Sequence, residues 1–258
     1  MNRIHVISTS FNSNKFALNN IISVASQSLI PKSHTYIDDM SNDNSVETLK
    51  GFMATESYLK ICKKYDLKIT INKERKFKIK NLFELLHDQN KFDDNDIICI
   101  LDGDDWLSNG DALKEVHEAH LRENLDYLYT NWMYSHTGEL GISRKIPNNE
   151  WCPYSSPWIT SAMSTFRVSC FREIDESNFK DSSDKFFTMG CDQAYILPIL
   201  EMSRRKNKGY SKVGFINKPH YIYQFLENEN KPRHGTEGNK IAVEAHNASI
   251  IIRKRGLL

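Results

Sequence analysis

Short apolar runs alternate with longer amphipathic segments from the start of the chain to residue 101. Four runs have the length of buried strands, at residues 4–9, 34–38, 67–72 and 97–101. The segments between them repeat apolar residues at helical spacing, beginning with Leu18 and Ile21. Strands that alternate with helices over short polar links predict a parallel sheet covered on both faces. We therefore expect an α/β fold of three α/β/α layers with a mainly parallel central sheet.

Length and charge favour one large domain with no strong field of either sign. The 258 residues are enough for one α/β domain with a full core. Thirty-four Lys and Arg against 33 Asp and Glu residues give a net charge of +1, which does not point to nucleic acid or a membrane. Residues 60–80 and 204–218 are locally basic, as in solvated faces or a site for an anionic ligand.

No targeting or membrane-spanning segment is recognisable. The N-terminus, MNRIHVIST, lacks the pattern of a signal peptide, and no apolar run approaches the roughly 20 residues of a transmembrane helix. The five cysteines form no CxxC pair, and Cys99 lies within an apolar run, which favours reduced thiols. We therefore predict a cytoplasmic protein.

The fourth apolar run leads directly into Asp102-Gly103-Asp104-Asp105. Carboxylates this close repel one another and resist leaving water, so a positive partner is expected. An EF-hand loop is excluded, because tryptophan and leucine occupy the positions that need an oxygen ligand and a glycine. Helix capping would explain one aspartate. A hard divalent cation, Mg²⁺ or Mn²⁺, that shares its coordination with phosphate oxygens explains all three better.

Polar clusters also follow the first two predicted strands. The turn Thr9-Ser10-Phe11-Asn12 follows the first, and Asp38-Asp39 ends the second. Ligands of open α/β sheets bind beyond the carboxyl ends of the strands. We therefore expect the three polar clusters to converge on one edge of the sheet.

In their order, these motifs resemble those of the family 2 glycosyltransferases of the GT-A fold. The family's P-T-Y-N-like turn corresponds to residues 9–12, its S-V-x-x-Q-[ST] segment to residues 23–28, its D-D-x-S-x-D-x-S segment to residues 38–45 and its D-x-D-D motif to residues 102–105. The family's A-R-N-x-G segment departs from the pattern at residues 79–83, where Lys80 replaces the arginine and the glycine is missing. The LDGDDWL run and residues 198–202 also resemble glycosyltransferases of phages and large viruses.

The resemblance implies an inverting, metal-dependent glycosyltransferase with Mn²⁺ or Mg²⁺ as cofactor. A nucleotide-diphosphate sugar, UDP before GDP, would donate to a glycan or to a hydroxylated base of phage DNA, in the host cytoplasm if the protein is viral. The whole chain would form a single GT-A domain. Its expected parts are a donor and metal half (1–109), an acceptor half with the catalytic base (110–225) and a C-terminal flap and helix (226–258).

The resemblance also assigns roles to individual residues of the donor half. Metal ligation falls to Asp104 and Asp105, while Asp102 would reach the ribose or a metal-bound water. Thr9 and Asp39 would bind the base and ribose. The expected nucleotide-sugar site comprises Thr9, Ser10, Asn12, Asp39, Lys80, Asp102, Gly103 and Arg233, with Lys80 and Arg233 on the phosphates. His234 would add a metal ligand.

The general base is expected near the start of a downstream helix, where family members have an acidic pair. Cys191-Asp192 matches that position, so Asp192 is the expected base, although an ordinary N-cap role stays open. Asp181 and Asp184 are the alternatives. Trp158, in a segment rich in Pro and Ser, would either stack on a sugar or base or pack in the core.

Two other functions fit the same fold. A nucleotidyltransferase would also use carboxylate-bound Mg²⁺, but the turn after the first strand lacks the glycine-rich phosphate loop that such an enzyme needs. A sugar-nucleotide-binding module without catalysis is the other alternative. Sugar-nucleotide hydrolysis would separate a binding module from an enzyme.

Overall fold

The structure is a computed structural model that describes residues 2–224 and 240–257. Its strands are β1 (Ile4–Ser10), β2 (Ser33–Asp38), β3 (Asp66–Ile71), β4 (Ile97–Ile100), β5 (Trp106–Leu107), β6 (Tyr127–Tyr134), β7 (Ser164–Arg167) and β8 (Val213–Tyr223). Its helices are α1 (Ala17–Ala25), α2 (Ser45–Met53), α3 (Glu56–Cys62), α4 (Phe77–Leu86), α5 (Ala112–Glu123), α6 (Val168–Arg172), α7 (Cys191–Asn207) and α8 (Lys240–Arg255), with a 3-10 helix at Glu176–Phe179.

These strands form one sheet in the order β3-β2-β1-β4-β7-β6-β8-β5. Strands β1 to β4 are parallel, and β6 and β8 run in the same direction. Two strands are reversed, because β7 is antiparallel to β4 and β6, and β5 is antiparallel to β8. The predicted α/β fold with a mainly parallel sheet is therefore confirmed.

Both faces of the sheet are buried, which explains the continuous apolar runs in its strands. Successive side chains of a strand point to opposite faces. Ile7 of β1 and Ile98 of β4 pack in the apolar cluster on one face. Val6 of β1 and Cys99 of β4 pack in the apolar cluster on the other face. Helices α4 and α7 cover the first face, while α1, α2 and α5 cover the second.

The parallel register brings the predicted polar clusters to one edge. Ser10 at the end of β1 is level with Asp38 at the end of β2, and Ile7 is level with Ile100 at the end of β4. The polar turns that follow β1, β2 and β4 are therefore neighbours. Among the helices that the structure describes, none has both the length and the apolar character needed to cross a bilayer.

Candidate active site

The acidic turn after β4 packs directly against the end of β1. The Gly103 N–H donates to the Thr9 carbonyl oxygen at 2.9 Å, and the Tyr36 hydroxyl donates to the Gly103 carbonyl oxygen at 3.0 Å. A Cβ atom on Gly103 would lie 2.4 Å from the Ser10 Cβ, so the approach of the two segments requires glycine. Thr9, Ser10 and Gly103 thus hold the acidic turn in place.

A buried asparagine on α1 fixes the same turn from the other side. The Asn20 Nδ2 atom donates to the carbonyl oxygens of Asp102 at 2.9 Å and Asp105 at 2.8 Å. The Ser8 hydroxyl donates to Asn20 Oδ1 at 3.0 Å, which sets the orientation of the amide. Sequence reasoning missed Asn20, since a single polar residue inside an amphipathic helix carries no signal of its own.

The turns after β1 and β2 are joined through Asn12. Its N–H donates to Ser41 Oγ at 2.8 Å, and its Oδ1 accepts the Asn42 N–H at 2.9 Å. Asn12 has a φ of 55°, a left-handed conformation that asparagine adopts more readily than most residues. The Asp38 carboxylate is buried and accepts both the N–H and the hydroxyl of Ser41. Asn12 therefore fixes the turn after β1 against the turn after β2.

Asp39 is a buried anchor for the chain that enters α4. Its carboxylate accepts the side-chain amides of Asn72 at 2.8 Å and Asn81 at 3.0 Å. It also accepts the backbone N–H groups of Lys76 at 2.9 Å and Phe77 at 2.7 Å. Burial alone would raise the pKa of Asp39, but these four hydrogen bonds together lower it. Phe77 has a φ of 62°, which aromatic residues rarely adopt, so this anchoring holds a strained backbone.

A cationic and aromatic stack lies beside Asp39 at the edge of the site. The guanidinium carbon of Arg75 is 3.1 Å from the centroid of the Phe11 ring and 4.7 Å from that of Phe77. The Arg75 Nε atom is 3.5 Å from Asp39 Oδ2. Flat aromatic and guanidinium surfaces of this kind can stack on a planar base. Sequence reasoning did not single out Phe11 or Arg75 individually.

Lys78 lies between two carboxylates that come from opposite halves of the chain. Its Nζ atom is 2.6 Å from Asp102 Oδ1 and 2.7 Å from Asp192 Oδ1. The sequence expectation for a basic residue here was Lys80, whose Nζ instead lies 3.9 Å from Glu84 Oε1 on the same helix. Lys78 and Lys80 both lie in α4, and residues two positions apart in a helix are separated by about 200° around its axis. Lys80 therefore points away from the site.

The electrostatics of this cluster favour a charged lysine. Burial alone would lower the pKa of Lys78, but Asp102 and Asp192 raise it well above its usual range. Burial raises the pKa of the Asp102 carboxyl, and Asp192 adds to the rise while Lys78 opposes it. One ammonium group therefore compensates two carboxylates in a partly buried position.

Asp192 lies in the first turn of α7 with one oxygen engaged and the other open. Its Oδ1 accepts from Lys78 and from the Tyr195 hydroxyl at 3.1 Å, and the described residues form no hydrogen bond to Oδ2. The side chain is 50% exposed. It faces a narrow cavity whose lining includes Lys78, Asp102, Trp158, Asp192, Tyr195 and Tyr221. The Asp192 carboxylate can therefore accept a proton from a ligand in this cavity.

The two last aspartates of the acidic turn have different surroundings. Asp105 is 1% exposed, and its oxygens accept the Gln224 N–H at 2.6 Å and the Tyr221 hydroxyl. These contacts attach the turn to the end of β8, and the expected role of Asp105 as a metal ligand stays a prediction. Asp104 is partly exposed and is the better candidate.

The described part of the chain does not supply a complete set of metal ligands. Within residues 2–224 and 240–257, no group of three or more His, Cys, Asp and Glu side chains could hold an ion. Carboxylate, phosphate and water oxygens are the ligands that Mg²⁺ and Mn²⁺ prefer, so the turn fits such an ion if a phosphate-bearing ligand completes the set. The expected contributions of Arg233 and His234 lie outside the described residues.

The alternative bases do not line the cavity. Asp181 accepts the backbone N–H groups of Ser183 at 2.8 Å and Lys185 at 3.1 Å, and Asp184 lies 3.2 Å from Lys180 Nζ. Both aspartates belong to the loop before α7. Trp158, in contrast, lines the cavity.

The chain matches the model of a family described as "Glycosyl transferase family 2" over residues 5–176, well over half of its length. No curated protein matches it in sequence.

Solved structures give a more distant likeness. S. aureus TarS 1–349 in complex with UDP-GlcNAc has a TM-score of 0.59 at 17% identity, over 88% of this chain and 60% of that chain. The mannosyltransferase PcManGT from Pyrobaculum calidifontis, with GDP-Man and Mn²⁺, has a TM-score of 0.55 at 12% identity, over 98% and 73%. Glucosyl-3-phosphoglycerate synthase from Mycobacterium tuberculosis, with Mn²⁺, UDP and phosphoglyceric acid, has a TM-score of 0.58 at 10% identity, over 98% and 78%.

At these identities the likeness concerns the fold, which is the GT-A glycosyltransferase fold. The chain spans 60% of the length of TarS 1–349 and 37% of that of a second TarS structure.

Proposed function

Because the chain belongs to glycosyl transferase family 2, we propose that it moves one sugar from a nucleotide-diphosphate sugar to an acceptor hydroxyl, with inversion of the anomeric carbon. UDP-sugars are the favoured donors. In support, similar folds were solved with UDP-GlcNAc and with UDP, although PcManGT was solved with GDP-Man. Family membership also favours this reaction over nucleotidyl transfer.

The arrangement of Asp192 carries the proposal. Asp192 lines the cavity with its Oδ1 held by Lys78 and Tyr195, and its carboxylate can accept the proton of an acceptor hydroxyl there. The acceptor oxygen then forms a bond to the anomeric carbon, while the bond to the diphosphate breaks and its electron pair leaves with the diphosphate. One base that acts in a single displacement inverts the anomeric centre.

The donor side of the cavity would stabilise the leaving group. Asp104 would hold a Mn²⁺ or Mg²⁺ ion, and Asp105 would keep the turn in position. When bound, the ion supplies positive charge to the departing diphosphate. The stack of Phe11 and Arg75 would receive the base, with Thr9 and Asp39 close to it.

The ion pairs of the basic segments favour a glycan acceptor over DNA. Protein–DNA affinity increases with the number of phosphates that lysine and arginine neutralise. Arg204 and Arg205 are paired with Glu201, and Lys206 is paired with Glu173. These residues are therefore less available to a phosphate backbone. Trp158 in the cavity offers a flat surface for a sugar ring.

The proposal is tested with a panel of UDP- and GDP-sugars, in which binding is measured by calorimetry with and without Mn²⁺. We expect a UDP-sugar to bind with a dependence on Mn²⁺ and to be hydrolysed slowly without an acceptor. Products are then sought with glycan acceptors and with hydroxymethylated DNA. Transfer to DNA but not to glycans would overturn the acceptor assignment, and binding without any turnover would favour a binding module.

Asp192→Asn tests the base. We expect kcat to fall by about 10²- to 10⁴-fold while the donor still binds, because the amide cannot take the proton. Asp184→Asn is the matched control, since it removes a carboxylate from the loop before α7 and outside the cavity. Equal activity of both variants would exclude Asp192 as the base.

A further inference from the structure

We propose that Lys78 is a positioning residue for the reaction, which holds Asp192 in the orientation and charge state that a general base requires. This inference rests on the proposed function, in which Asp192 takes the proton of the acceptor. Lys78 also ties Asp192 to Asp102, so that one ammonium group links the donor side of the cavity to the acceptor side.

The position of Lys78 is itself fixed from several directions. Asp39 accepts the N–H groups of Lys76 and Phe77 immediately before it, and Asn81 on the next turn of α4 donates to the same carboxylate. The Lys78 side chain is only 17% exposed. The ammonium group is therefore held at a defined point between β4 and α7.

Lys78 and Tyr195 use the same oxygen of Asp192. Lys78 Nζ is 2.7 Å and Tyr195 Oη is 3.1 Å from Oδ1, so both donors hold the carboxylate through the same atom, while the described residues form no hydrogen bond to Oδ2. Losing either donor would let the carboxylate rotate. Losing the lysine would also leave Asp102 and Asp192 facing each other without compensating charge.

The groups around Asp192 determine the sign of the expected pH effect. Lys78 faces it from α4, Asp102 from the turn after β4, Tyr127 from β6, and Cys191 and Tyr195 from α7. Lys78 is the positive group of this set. An opposite charge favours the ionised carboxylate, so removal of the ammonium group is expected to move the acidic limb of the kcat profile to higher pH.

The experiment compares the purified full chain with Lys78→Met, Lys78→Arg and Lys91→Met. The readouts are kcat, the KM for the donor and the pH profile of kcat, with thermal unfolding to show that each variant is folded. Lys91→Met is the control, because it removes a lysine outside the cavity whose partner is Asp88. Lys78→Arg keeps the positive charge on a side chain of different length and shape.

We expect Lys78→Met to lower kcat by about 10- to 100-fold and to move its acidic limb to higher pH, because a misplaced base loses part of the gain from general base catalysis. Lys78→Arg should recover part of kcat and the position of the limb, and Lys91→Met should match the unchanged protein. Folded Lys78→Met with an unchanged kcat and pH profile would overturn the inference, even if Asp192→Asn is inactive. Full activity of Asp192→Asn would instead overturn the proposed base.

Discussion

Asp104 and Asp105 are adjacent in the acidic turn, but their carboxylates contribute in different ways. Asp105 is buried and accepts hydrogen bonds from Tyr221 and Gln224, which attach the turn to the end of β8. Asp104 remains partly exposed beside it. Stability and metal dependence should therefore divide between two neighbouring residues.

We expect Asp105→Asn to lower the free energy of unfolding by about 1–3 kcal/mol, because an amide in place of the carboxylate leaves a buried donor without its acceptor. Asp104→Asn should change unfolding less but abolish the dependence of sugar transfer on Mn²⁺. Urea unfolding and a manganese titration of activity measure the two effects. A variant at position 105 that unfolds like the unchanged protein but no longer responds to Mn²⁺ would restore Asp105 as the metal ligand.

The neighbouring sequence was not sufficient to predict which of Lys78 and Lys80 lies at the site. Alignment with the family segment pointed to Lys80, because it precedes Asn81 as the family arginine precedes its asparagine. The structure favours Lys78, because contacts from Asp39, 38 residues earlier than Phe77, determine where α4 begins and which way it faces. A contact between residues so distant in sequence leaves no local pattern.

At the scale of elements, α8 joins two parts of the proposed acceptor side. The Arg253 Nε atom donates to Gln193 Oε1 at 3.1 Å, next to Asp192 in α7. Its Nη1 atom donates to the carbonyl oxygens of Ser156 at 2.9 Å and Tyr154 at 3.3 Å, in the loop that carries Trp158. Arg253 therefore ties the loop of the proposed acceptor site to the helix of the proposed base.

We expect Arg253→Ala to raise the KM for the acceptor several-fold and to leave donor affinity unchanged, because the contacts described for Arg253 lie on the proposed acceptor side. The free energy of unfolding should fall by about 1.5–3 kcal/mol for hydrogen bonds from a charged group. Lys254→Ala, an exposed residue of the same helix, is the control. Acceptor kinetics measure the change in KM, and calorimetry measures the donor affinity. A loss of donor affinity as large as the rise in acceptor KM would contradict the prediction.

The strands of the first half of the chain could be predicted from the sequence, whereas β8 in the second half could not. Strands β1 to β4 were recognisable because each is a short apolar run between polar turns. Strand β8 pairs with β6 through register shifts near Asn131, and it contains Pro219 at that irregularity. Its side chains do not follow a simple burial alternation, and its paired residues in β6 lie 86 to 89 positions earlier in the chain. Tertiary pairing, more than local preference, determines this half of the sheet.

At the scale of the whole molecule, buried histidines link stability to pH. His34 on β2 is fully buried, with Nε2 3.0 Å from Ser8 Oγ, and His120 on α5 has Nε2 2.9 Å from Thr165 Oγ1. Burial lowers the pKa of each to about 3. Between about pH 6.5 and pH 3 the unfolded chain therefore binds protons that the folded chain excludes.

We expect the free energy of unfolding to be nearly constant around neutral pH. Below about pH 6.5 it should fall by up to about 1.4 kcal/mol per pH unit for each histidine. The lowered pKa values of Asp39 and Asp96 act in a separate window, because their stabilisation is present above about pH 4 and is lost only below it. Urea unfolding at pH 7, 6 and 5 measures the histidine window. His120→Gln should make the slope shallower by up to about 1.4 kcal/mol per pH unit, since glutamine does not titrate, and an unchanged slope would show that His120 is not responsible.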